Sequence, residues 1–213
     1  MAQEINQAIS TASPPAAPLP RMTYEEFLAW ADEDTWAEWV DGEVIILTSA
    51  SEWHQNVADF LTALLRHFAE AHNVGIVRSA PFQMKSGPNF PGREPDILFI
   101  AREHLDRLQN TYLNGPADLV VEIVSPESRS RDRGAKFYEY EQAGVREYWL
   151  IDPLRRQAEW YQLGSDGVYR LIPIGSDGTL RSVVLEGLWL QVDWLWQAPL
   201  PGLLTVLQAW GLV

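Results

Sequence analysis

The sequence predicts an α/β fold, a mixed β-sheet flanked by helices with additional β-hairpins. Three observations predict it. Residues 118–152 run strand, helix, strand, the order of a βαβ unit, which favours a parallel crossover. Asp41-Gly42 and Ser165-Asp166-Gly167 each separate two strand-like runs, as hairpin turns do. Val57, Phe60, Leu61, Leu64, Leu65 and Phe68 recur at helical spacing, so a long amphipathic helix covers one face of the sheet.

The elements follow in order. Residues 1–20 are rich in Ala, Ser, Pro and Gln without periodicity and read as a flexible tail. Residues 21–213 read as a single domain. In "TYEEFLAWAD", Thr23 and Glu26 have capping-box spacing, which predicts a short helix. "WAEWVDGEVIIL" is the first hairpin, and Ser51 and Glu52 precede the long helix. "VGIVRSAPFQMK" reads as one strand, "SGPNFPGRE" as a loop and "PDILFI" as a short strand. "EHLDRLQ" reads as a helical turn and "DLVVEIV" as the next strand. "SRDRGAKFYEYEQAG" reads as one helix with a glycine stop at Gly144. "EYWLID" is a buried strand ended by Pro153, and "QAEWYQL" with "VYRLIP" forms the second hairpin. The C-terminal part alternates short strands and turns and ends in the apolar "LLTVLQAW".

Composition narrows the chemistry. The 213 residues, 46% hydrophobic and with ten tryptophans, suffice for one sizeable core. No apolar run approaches the ~20 residues of a membrane span. The N-terminus lacks a basic start followed by an apolar stretch, so no secretory signal is expected. With no cysteine, disulfides, thiolate metal sites and cysteine nucleophiles are excluded, and a reducing, cytoplasmic setting suits the chain. The net charge of −13 argues against a broad, nonspecific grip on nucleic acid, which relies on neutralising phosphates. It leaves room for a local site where metal ions supply the positive charge.

Two strands each carry one acid in a telling place. Asp96 opens "PDILFI", and Glu122 lies inside "DLVVEIV", sharing a face with Val120 and Val124 by the period of two. On neighbouring strands these carboxylates would converge, as hard divalent cations require. A metal would also compensate a charge that is expensive in a core. The competing reading is structural: an aspartate capping a turn, and a glutamate on an edge strand or paired with Arg131 or Arg133. Lys136 stands four residues after Asp132, the spacing of an exposed helix pair, or it steadies charge at a reacting phosphate. Glu38, between Ala37 and Trp39, is a further ligand or the polar side of an amphipathic strand. His54 reads as a cap-region or surface histidine, and His67, His72 and His104 share no zinc-like spacing with acids. There is no phosphate-cradling glycine loop, nucleophile elbow or dinucleotide fingerprint.

"AEWVDGEVI", then "PDILFI", then residues 118–153 in order resemble the Uma family of restriction-endonuclease-like proteins, within the P-D-(D/E)-x-K nuclease superfamily. The resemblance extends from about residue 23 to about residue 196. Its most specific part is Glu-x-x-Ser-Pro, a helix with Lys and Tyr four apart, a Gly and the strand Tyr-Trp-Leu-Ile-Asp-Pro. It implies a mixed sheet flanked by helices. It also implies that Asp96 and Glu122 bind Mg²⁺, with Mn²⁺ as an alternative and the Ile123 carbonyl as an added ligand. Glu38 matches the acid of an early element, which would support a second metal or the water network. One departure stands out. The superfamily lysine belongs two residues after the second acid, where this chain has Val124, and Lys136 on the following helix takes that role across a short connection.

The implied activity is Mg²⁺-dependent hydrolysis of DNA phosphodiester bonds, with Glu38, Asp96, Glu122 and Lys136 as the catalytic set. DNA is the expected substrate, no membrane is involved, and a homodimer would suit cutting both strands. The alternative is a catalytically inactive nuclease fold used as a binding or regulatory module, which the acidic surface favours. A two-carboxylate glycosidase with a tryptophan platform is a third reading that no spacing supports.

Overall fold

The computed structural model describes residues 19–32, 34–47 and 50–213. The tail expected over residues 1–20 therefore lies almost wholly outside the described residues. Helix α1 (Tyr24–Trp30) starts at the expected capping box, with both reciprocal Thr23–Glu26 hydrogen bonds present. Strands β1 (Ala37–Val40) and β2 (Glu43–Ile46) pair antiparallel about Asp41-Gly42, both at positive φ, as a two-residue turn of this hand requires. Helix α2 (Glu52–His72) is capped by the Ser51 side chain and ends at Asn73 in the left-handed conformation.

The run expected as one strand divides in two. Strands β3 (Gly75–Ser79) and β4 (Gln83–Lys85) belong to different sheets, separated at Pro81, which cannot donate to a ladder. The following loop contains the two-residue strand β5 (Gly92–Arg93), which bridges β1 and β4. Strand β6 (Ile97–Ala101) leads through a 3-10 turn, Arg102–Arg107, to β7 (Tyr112–Asn114) and β8 (Leu119–Ile123).

The expected single helix after β8 is broken. It comprises α3 (Arg129–Asp132) and α4 (Ala135–Ala143), with Gly134 at the break. A Cβ on Gly134 would meet the Ser130 carbonyl oxygen at 2.6 Å, so the kink needs glycine. The Gly144 stop is as expected, with φ 86°. Strand β9 (Glu147–Asp152) returns parallel to β8, and β10 (Gln157–Leu163) and β11 (Tyr169–Leu171) form the second hairpin. A small hairpin, β12 (Thr179–Arg181) with β13 (Trp189–Gln191), a 3-10 turn and helix α5 (Leu203–Ala209) complete the chain.

The central mixed sheet has the order β11-β10-β9-β8-β6-β3. Leu61, Leu64, Leu65 and Phe68 of α2 pack on one face against Val121, Ile123, Trp149 and Ile151. Tyr140 of α4 packs on the other against Val120, Tyr148 and Leu150. This alternation along β8 is the period of two at work, and it sends Glu122 to the α4 side. The second sheet, β2-β1-β5-β4-β7, carries Glu38. Among the described residues no helix is long and apolar enough to cross a membrane.

Candidate functional site

The register brings the two strand acids together. Ile97 of β6 pairs with Val121 of antiparallel β8, so Asp96 stands opposite Glu122 one step further on. Opposed residues of an antiparallel pair project to the same face. Both acids line one cleft of about 590 Å³, together with Glu94, Ile123, Ser125, Ser128, Arg131, Lys136 and His54. Asp96 is held by its own neighbour strand, since the Ile123 amide donates to Asp96 Oδ2 at 2.6 Å.

Glu122 lies on an interior strand, between β6 and β9, and pairs with neither Arg131 nor Arg133. Its Oε1 accepts from Lys136 Nζ at 2.8 Å and from the Tyr140 hydroxyl at 2.7 Å. Lys136 and Tyr140, one helical turn apart, therefore meet the same carboxylate oxygen. Lys136 is the second residue of α4, not two turns into a longer helix, because the chain breaks at Gly134. Its ammonium also lies 2.9 Å from Glu38 Oε1 and 3.6 Å from Asp132 Oδ1. The Asp132–Lys136 spacing expected of a solvated pair is thus present, but both side chains are buried.

Glu38 is fully buried and heavily compensated. Arg93 Nη1 donates to it at 2.9 Å, and Arg131 Nε lies 3.6 Å away. Burial opposes its charge, but Lys136, Arg93 and Arg131 outweigh that and hold its pKa down at about 2. Burial opposes the Lys136 cation, but Glu122, Glu38 and Asp132 outweigh that and hold it above its ordinary value. Glu122 goes the other way. Burial, with Asp132, Asp96 and Glu38 nearby, outweighs Lys136 and pushes it up to about 8. Burial likewise pushes Glu94 up to about 7 and raises Asp132.

Sequence reasoning missed four members of this cluster: Asp132 as a buried acid, Arg93, Glu94 and His54. His54, read as a cap-region or surface histidine, does lie in the capped first turn of α2, but its ring is turned inward. Its Nε2 lies 3.4 Å from Asp96 Oδ1. Burial disfavours its cation, but Asp96 and the Ile123 carbonyl raise its pKa overall. Glu94 stands two residues before Asp96 in "REPD", a proximity that could have singled it out. The contacts of Arg93 in β5 with Glu38 in β1 and of Lys136 in α4 with Glu122 in β8 join elements separate in the chain, which no local periodicity reveals.

Five carboxylates (Glu38, Glu94, Asp96, Glu122, Asp132) thus face three permanent cations (Lys136, Arg93, Arg131), and Arg93 is shared with Glu139. Glu94 Oε1 and both Asp132 oxygens are buried without a hydrogen-bond partner among the described residues. The excess is negative, and it opens on a cleft.

The profile of the Uma2 family, described as "Putative restriction endonuclease", matches residues 24–193. A protein of Synechocystis sp. (strain ATCC 27184 / PCC 6803 / Kazusa), named "Uncharacterized protein slr1290", is 26% identical over 164 residues, 76% of this chain and 84% of that one. The crystal structure of a "putative nuclease belonging to DUF820" from Anabaena variabilis ATCC 29413 superposes with a TM-score of 0.66 at 17% identity, over 82% of this chain and 97% of that one. That likeness establishes a shared fold. With the profile spanning most of its length, the chain belongs to the Uma2 family.

Proposed function

We propose that the protein is a metal-dependent endonuclease that hydrolyses DNA phosphodiester bonds. The observation that carries the reading is that Asp96, just before β6, and Glu122 in the adjoining β8 both line a cleft that also holds Lys136 and Arg131. The donor set suits Mg²⁺ or Mn²⁺: two carboxylates and the Ile123 carbonyl, all hard oxygens, with space for waters and a substrate phosphate. Among the described residues no group of three or more His, Cys, Asp or Glu side chains is arranged to hold a metal by itself. A site of two carboxylates completed by water and substrate needs none. When bound, the cation would polarise the phosphate and lower the pKa of a water.

The chain's own groups do the rest. Asp96 is fixed by the Ile123 amide, so one of its oxygens stays committed to the scaffold and the other faces the cleft. Lys136 and Tyr140 both bind Glu122 Oε1, which sets the orientation of that carboxylate and leaves Oε2 without a hydrogen bond among the described residues. Arg131 lines the cleft, and its guanidinium is placed to meet a phosphate oxygen. Lys136 lines the cleft too and would hydrogen-bond the attacking water or the charge growing on phosphorus. Glu38 anchors Lys136 and Arg131 rather than reaching the cleft itself.

A second reading, a nuclease fold kept for binding, has one observation in its favour. Glu38 and Glu122 are already compensated by Lys136, Arg93 and Arg131, so those two acids persist without a metal. The remaining acidic excess at Asp96, Asp132 and Glu94 favours the enzyme. The test is cleavage of plasmid and single-stranded DNA in Mg²⁺ or Mn²⁺, beside EDTA and an Asp96→Ala control. Cleavage lost in both controls supports the enzyme, and no cleavage under any condition supports the binding module.

A further inference from the structure

We propose that Trp36 is a stacking platform for an unpaired nucleobase, so that the substrate class is single-stranded DNA rather than uninterrupted duplex. This rests on the nuclease reading and specifies its substrate.

Trp36 is the one tryptophan, among the described residues, that joins neither a core cluster nor an aromatic pair. It is 40% exposed. The structure puts it there for a definite reason. By the period of two, Trp36 shares a face of the β1 strand with Glu38, about 6.7 Å further along. Glu38 points into the ion-pair cluster, so Trp36 stands where the same face emerges at the mouth. The Leu47 amide donates to the Trp36 carbonyl at 2.9 Å, which extends the hairpin ladder and fixes the backbone of the platform.

The mouth leads into a second groove. Trp36, Leu47, Ala50 and Ser51 line both the acid-bearing cleft and an adjoining groove of about 640 Å³, completed by Asp34, Glu52, Gln55 and Asn56. Among the described residues, that groove has an aromatic face, an apolar wall, two amide side chains and two carboxylates, but no lysine or arginine. It repels phosphate and suits a base, which carries a π-face and hydrogen-bonding edges without charge. Among the described residues, the only permanent cations lining the connected clefts, Arg131 and Lys136, lie beside the carboxylates, where one phosphate would react. A duplex is gripped through many phosphates along both strands, which these surfaces do not offer. A single strand can set one phosphate at the acids and lay the neighbouring base on an aromatic face, a stacking contact that any base can make.

The test is binding of a fluorescein-labelled single-stranded deoxyoligonucleotide and of the same sequence as blunt duplex, read by anisotropy in Ca²⁺. Calcium takes oxygen ligands like magnesium, and a gel confirms that the probe stays intact. An abasic series moves one missing base along the single strand. The wild type is expected to bind the single strand at least about tenfold more tightly than the duplex. Trp36→Ala is expected to weaken it by about tenfold, with Trp36→Phe retaining most of the affinity. One abasic position is expected to weaken the wild type and leave Trp36→Ala unaffected, which separates stacking from a change of fold. Equal binding of duplex, an unchanged Trp36→Ala, or no abasic dependence would each overturn the proposal. If the binding pattern holds but Mg²⁺ and Mn²⁺ give no cleavage, the nuclease reading fails alone.

Discussion

Two buried glutamates on neighbouring strands show what separates an architectural acid from a functional one. Glu147 begins β9 and Glu122 lies in β8, and the strands are paired in parallel. Glu147 accepts from Trp149 Nε1 at 2.6 Å, Ser182 Oγ at 2.8 Å and the Val183 and Val184 amides at 3.0 and 2.8 Å. All four donors are neutral, three of them pin the segment after β12, and the carboxylate lines neither cleft. Glu122 has a cation and a phenol on one oxygen and a cleft with further acids on its other side. Burial of an acid is therefore uninformative by itself. What its neighbours leave unbalanced distinguishes the two.

The comparison breaks most visibly in activity. Asp96→Ala and Glu122→Gln should each lower DNA cleavage by more than about 100-fold, since even outer-shell partners of metal ligands cost 10–100-fold. Glu147→Gln should cleave like the wild type. Equal losses in all three would mean that the two glutamates do the same job.

Lys136→Met comes next. An exposed helix pair would cost a few tenths of a kcal/mol. Here removal of the ammonium strands Glu122, Glu38 and Asp132 in a buried site, so a loss of about 3–5 kcal/mol is expected in denaturant unfolding. Mg²⁺ should restore more stability to this variant than to the wild type, because a cation can take over part of the compensation.

Glu38 gives the pH arm. Its folded pKa of about 2 lies below the ordinary 4.5, so its stabilisation is complete above about 4.5 and is lost as the pH falls toward 2. The contribution is on the order of 3 kcal/mol at neutral pH. In Glu38→Gln that part of the acid-side slope should vanish from stability-versus-pH curves. An unchanged slope would place its pKa near the ordinary value.

The smallest effect belongs to the architectural acid. Glu147→Gln should cost about 1–3 kcal/mol through donors left without an acceptor, and it should leave any Mg²⁺-induced rise in Tm unchanged.

The sequence carried the central strands, the hairpins and the long helix because Val, Ile and Leu runs, Asp-Gly turns and the α2 periodicity are local signals. It did not show that "VGIVRSAPFQMK" serves two sheets, since the apolar pattern continues across Pro81. Nor did it show the α3–α4 break, because a glycine among helix formers is tolerated in many helices and its close approach to Ser130 is a tertiary fact. At the site, Asp96 and Glu122 were legible as acids in apolar strands. Arg93 and Glu94 were hidden in what reads as a loop, and they join Glu38 across a sequence separation of 55 and 56 residues. His54 was hidden by its capping position, which favours a surface reading until the helix is docked against β6 and β8.

The most direct test of the account is the position of a divalent cation in crystals grown with Mn²⁺, read by anomalous scattering. The account predicts a peak bound by the Asp96 and Glu122 carboxylates and the Ile123 carbonyl, absent in Asp96→Ala. A wild-type crystal with Lys136 still bonded to Glu122 and no cation in the cleft, or with Mn²⁺ bound only elsewhere, would contradict it.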